Sequence, residues 1–119
     1  MDNKFWSAVD SLVQSTEIII DRPKGSLHPR HPSVTYPLDY GYLAGTSSGD
    51  QGGIDVWVGS LVQQGVSALI CTVDLDKSDA EVKILLGCTK TEVQKILDFH
   101  NQGAQSAILI QRYNPKPTE

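Results

Sequence analysis

Five side chains in the middle of the chain have the types and spacing for metal-assisted chemistry on an anion: Asp50, Asp55, Asp76, Glu81 and Lys83. Asp50 sits in the turn-forming run SSGDQGG, and Asp55 is one residue into the apolar run IDVWVG. The glycines between them permit a sharp reversal, so both carboxylates can face one point. Residues two apart on a strand share a face. That rule places Asp74 with Asp76 and Glu81 with Lys83, and sends Val82, Ile84 and Leu86 to the opposite, buried face. The turn KSDA between the two runs brings Asp76 near Glu81. Each group alone also reads as a solvated turn, and on spacing alone Asp50 and Asp55 are turn and edge residues first. If the two clusters converge, their charges repel and call for a cation. All-oxygen ligation suits Mg2+ or Mn2+ rather than zinc. Lys83 would then be a handle for an anionic substrate.

Other chemistries fit less well. A glycine-rich phosphate cradle needs a helix after it, whereas a strand follows this loop. The alternating Asp/Asn oxygens of an EF-hand are absent. Cys71 and Cys88 are too few for a disulfide scaffold and lack zinc spacing, and Cys71, inside VSALICTV, reads as a buried thiol. His28 and His31, in HPRHP, are a weak transition-metal signal and an alternative source of positive charge. Trp57 and Val58 read as core or interface.

These residues need elements to hold them. Phe5, Trp6, Val9, Leu12 and Val13 fall on one helical face, with Asp2 as the N-cap. TEIII at Thr16–Ile20 reads as a strand stopped by DRPKGS, and residues 23–37 as an irregular, proline-bearing loop. Strands are expected at Ile54–Gly59, at Val66–Asp76 and at Glu81–Gly87, the last two as a hairpin. Thr89 and Glu92 form a capping-box pattern for a second helix, which Gly103 is placed to end. Ser106–Arg112 reads as a last strand, followed by a frayed polar tail. Strands dominate and helices flank them, which predicts an α+β domain with a small antiparallel sheet or barrel.

The 119 residues predict one domain spanning residues 1–119. The net charge of −4 argues against a nucleic-acid partner, whose phosphates need a basic face. The N-terminal residues lack a signal peptide's apolar core, and no apolar run approaches a membrane span, so a cytoplasmic protein is expected.

Three runs in order resemble the signatures of soluble family I inorganic pyrophosphatases: DRPKGS at Asp21–Ser26, YPLDYGY at Tyr36–Tyr42 and DQGGID at Asp50–Asp55. The typical family forms are E-x-P-K-G-S, Y-P-x-D-Y-G-[FY] and D-x-D-P-x-D. Asp76, Glu81 and Lys83 continue the likeness, which covers Ile18 to Leu86, with the spacing of a D-x4-D-x-K segment. The resemblance implies an OB-like antiparallel β-barrel with flanking helices, a homo-oligomer, and Mg2+-dependent hydrolysis of pyrophosphate or a related small phosphoanhydride. It implies Asp50, Asp55, Asp76 and Glu81 as metal ligands and Asp21 as a supporting acid. It also implies that Tyr40 and Lys83 contact phosphate and, with Asp55, serve catalysis. The chain departs from the pattern at Gly52, where the family has its middle Asp, at Gly53, where it has Pro, and at His100-Asn101, where it has Tyr-Lys. The stretch between Asp21 and Tyr36 is short, and among its residues Arg30 is the expected phosphate ligand because a guanidinium pairs bidentately with phosphate. The departures leave two other readings: a non-catalytic metal- or phosphate-binding protein or assembly subunit, and a relative in fold alone.

Overall fold

The computed structural model describes residues 3–49 and 52–112. Helix α1 (Lys4–Gln14) begins at Asn3, whose side chain accepts from the Trp6 N–H. Asp2, the expected cap, lies outside the described residues. Trp6 and Val9 are the buried members of its apolar stripe. Strand β1 (Ile18–Arg22) runs two residues further than the expected strand. Strand β2 (Asp39–Leu43) takes in the second half of the YPLDYGY run and the leucine after it, and was not expected from sequence. Strands β3 (Ile54–Val58), β4 (Val66–Asp74) and β5 (Asp79–Leu86) follow, then α2 (Lys90–Phe99) and β6 (Gln105–Gln111). The capping box forms as expected: the Glu92 N–H donates to the Thr89 hydroxyl, and the Thr89 N–H donates to Glu92 Oε1. The helix stops at His100 rather than Gly103, which instead supplies a left-handed turn (φ +60°) before β6.

The fold is α+β. The six strands form one sheet in the order β1-β2-β3-β5-β4-β6, and the sheet is not closed. It is mixed rather than antiparallel, because β3 and β5 run parallel, with Val56, Trp57 and Val58 beside Ile84, Leu85 and Leu86. Each face carries its own core, as strand alternation requires. Against α1 lie Leu43, Val56, Leu69, Ile84 and Leu86. On the other face, Trp57, Ile70 and Leu85 pack with Tyr36, Leu38 and Ile96 of α2. Cys71 is only half-buried, contrary to expectation, because it faces an open part of the α1 side. That part is an apolar cleft of about 510 Å³ lined by Phe5, Val9, Leu12, Leu69 and Val82 among others. No helix among the described residues is long and apolar enough to cross a membrane.

Candidate functional site

The polar residues of interest gather on the α2 face, and three registers put them there. In β2–β3, Tyr40 lies opposite Trp57 and Tyr42 opposite Asp55. In the parallel β3–β5 pair, Val56 lies beside Ile84, so continuing that register by one residue brings Asp55 beside Lys83. In β4–β5, Thr72 lies opposite Glu81 and Ile70 opposite Lys83.

Lys83 is the hub. Its side chain is 4% exposed, and its ammonium donates to Tyr40 Oη at 2.8 Å, Asp55 Oδ2 at 2.8 Å and Glu81 Oε1 at 2.7 Å. An ammonium has three hydrogens, and all three are used. Tyr40 closes the network by donating its hydroxyl hydrogen to Asp55 Oδ2 at 2.7 Å. Burial by itself lowers the Lys83 pKa, but the oxygens of Tyr40, Asp55 and Glu81 more than reverse that, so the ammonium is held charged. Burial, helped by Asp55, raises the Tyr40 pKa despite the opposing Lys83 charge, so the phenol stays neutral. With two carboxylates and one ammonium, the cluster carries one net negative charge.

Asp55 Oδ1 and Glu81 Oε2 accept no hydrogen bond from a described residue. Thr72, opposite Glu81, is 1% exposed, and its hydroxyl has no partner among the described residues. Buried polar atoms are ordinarily satisfied, by water where protein offers nothing. The cluster thus keeps unmade polar contacts beside two carboxylates.

The other expected site residues stand apart from it. Asp76 is exposed in the β4–β5 turn, where Asp74 Oδ1 accepts from the Asp76 and Lys77 N–H groups. Asp21 is exposed at the irregularity in β1, the extra residue that lets Arg22 align with Tyr40. Arg30 is exposed in the 23–37 loop, and its N–H donates to His28 Nδ1. Asp50 lies outside the described residues. Among the described residues no group of three or more His, Cys, Asp or Glu side chains is placed to hold a metal ion. Gly53, where the resembled motif has Pro, is closely hemmed in. A Cβ there would come within 2.7 Å of the Tyr42 ring and 3.0 Å of the Leu43 carbonyl oxygen, so no proline fits.

Sequence reasoning missed the surroundings of the cluster. Arg22 donates from Nη1 to Tyr36 Oη at 2.9 Å and lies over the Tyr36 ring. Ending the first strand at Ile20 hid it, and the extra residue at Asp21 turns Arg22 away from the face that Ile18 and Ile20 share, which alternation alone does not show. His100 is 3% exposed, and its Nε2 accepts from Trp57 Nε1 at 3.0 Å. Indole only donates, so the His100 hydrogen sits on Nδ1, facing Gln105 Oε1 at 3.1 Å. Burial, then the Lys83 charge, lowers its pKa to about 4. His100 is therefore a neutral strut under Trp57 and contributes no positive charge. No family model matches the chain, and no curated protein matches it.

Proposed function

We propose that the chain is a Mg2+-dependent hydrolase of inorganic pyrophosphate or a related small phosphoanhydride, built on a pyrophosphatase-like, OB-related scaffold. The observation that carries this reading is the convergence of Tyr40, Asp55, Glu81 and Lys83, drawn from three strands, with one oxygen of each carboxylate left unbonded among the described residues. Those two hard oxygens fit Mg2+, which is commonly held by one or two carboxylates and completed by water and substrate phosphates. When bound, the cation would neutralise diphosphate charge and acidify water. The same resemblance names Asp50, Asp76 and Asp21 as further acids, but Asp76 and Asp21 stand apart from the cluster and Asp50 lies outside the described residues, so the proposal rests on Asp55 and Glu81.

The chain's own residues have distinct tasks. Lys83 offsets one of the two carboxylate charges and fixes the inner oxygens of Asp55 and Glu81. Tyr40 holds Asp55 Oδ2 and so leaves Oδ1 as the oxygen that can take a proton. Water attacks phosphorus, a new P–O bond forms, and the bridging P–O bond breaks. The attacking water's proton passes to Asp55 Oδ1, because position 52 offers no carboxylate. The bridging oxygen leaves as part of the second phosphate. Phosphate release from pyrophosphate, with and without Mg2+, in wild type and Asp55→Asn tests this assignment.

One observation favours a non-catalytic phosphate-binding protein instead: all three Lys83 donors are spent inside the cluster, so none is free for phosphate. Calorimetric binding of pyrophosphate without turnover would support that reading, and Mg2+-dependent turnover would remove it.

A further inference from the structure

Next to the cluster lies a shelf of positive charge that the cluster does not use. Arg22 aligns with Tyr40 across β1–β2 and caps the Tyr36 ring, its guanidinium 5.7 Å from the ring centre. On the same tyrosine, His28 stacks with an interplanar angle of 3° and centroids 5.9 Å apart. The His31 ring is 5.0 Å from His28. The positive charges of His31, Arg22, Arg30 and Lys77 all add to the field at His28. Among the described residues no carboxylate pairs with the side chains of Arg22, His28, Arg30 or His31. Lys77 has only a loose, exposed contact with Asp79 at 3.8 Å. In a chain of net charge −4 this gathering of cations is conspicuous. A solvated surface of ordinary composition would intersperse both signs.

We propose that this shelf, formed by the 23–37 loop beside Arg22 of β1, is an oxyanion site for a phosphate-class ligand, with Arg22, Arg30 and His31 about His28. It rests on the phosphoanhydride reading and supplies the substrate-side charge that Lys83 cannot. The site is proton-linked. His28 Nδ1 accepts from the Arg30 N–H at 3.1 Å, so the neutral ring carries its hydrogen on Nε2. Burial, followed by His31, Arg22, Arg30 and Lys77, lowers the His28 pKa, which disfavours the imidazolium in the free site. An oxyanion reverses the local field and favours the imidazolium, which protonates Nδ1 and releases the Arg30 N–H. Binding then takes up a proton, and by linkage it tightens as pH falls.

The test uses the full chain in chelator, without metal. Sulfate is the first probe, because its charge is constant between pH 5.5 and 8, and inorganic pyrophosphate is the second. The imidazole NMR titration of His28 should shift upward by about one unit when either anion is present, and sulfate should bind roughly 10-fold more weakly at pH 8 than at pH 5.5. The double variant H28Q/H31Q, checked for native circular dichroism, should lose this pH dependence, and Lys77→Gln should weaken both anions. Equal sulfate affinity at the two pH values, an unmoved His28 titration, or unchanged pH dependence in H28Q/H31Q would overturn the proposal. Proton-linked binding without Mg2+-dependent turnover leaves this site standing and removes the hydrolase reading. Turnover without linkage does the reverse.

Discussion

A buried ammonium persists only where every hydrogen finds an acceptor and its charge is answered. Lys83 meets both conditions through Tyr40, Asp55 and Glu81. Removing it strands two partly buried carboxylates side by side. Lys83→Met should therefore lose about 3 kcal/mol of stability, the lower end for breaking a buried pair, read by denaturant unfolding at pH 7. His100 gives the opposite case, a base kept neutral. Its folded pKa, about 4, lies below the unfolded value near 6.5, so between these values the unfolded chain binds the extra proton. Stability from the neutral ring is complete above pH 6.5 and is lost as pH falls toward 4, by roughly 3 kcal/mol. His100→Gln should flatten that part of the stability–pH curve. At this scale the sequence was readable where it was local: alternation put Glu81 and Lys83 on one face, and they do meet. The Asp55–Lys83 contact was not readable, because it needs β3 and β5 side by side and parallel.

The elements fall along the same division. The α2 capping box and the β4–β5 hairpin were legible from adjacent residues, since each is closed by contacts a few positions apart. Strand β2 was not, because DYGYL carries the Asp and Gly of a turn. Its strand state is imposed by pairing on both sides, with β1 and β3. The glycine is part of that arrangement: a Cβ on Gly41 would run into the Ile19 backbone carbonyl. Gly41→Ala should cost about 3 kcal/mol, at the upper end for overpacking, and should shift β1 against β2. The same shift would move Arg22 relative to Tyr40. The two effects separate in a thermal melt compared with anion binding at a temperature where the variant remains folded.

The whole molecule is an open mixed sheet with a polar network on one side and an incompletely covered apolar side on the other. Phe5, Val73, Val82, Ile108 and Ile110 are each 39–64% exposed on that second side. The edge strand β6, QSAILIQ, carries no charge, proline or register shift to discourage pairing. Self-association through β6 is the expected outcome, and Ile108→Lys should shift sedimentation toward the monomer. The overall architecture was legible as α+β because patterning is a local property. Whether the sheet closes depends on twist and on non-local pairing, which no run of residues encodes by itself. The proposed function turns on the polar side, where the proposal gives Asp55 both the cation and the attacking water. The most direct measurement is phosphate release from pyrophosphate by wild type and Asp55→Asn, each with Mg2+ and with chelator. The account predicts Mg2+-dependent turnover in wild type, falling by ~10²-fold or more in the variant. Equal, background-level release from both proteins would contradict it.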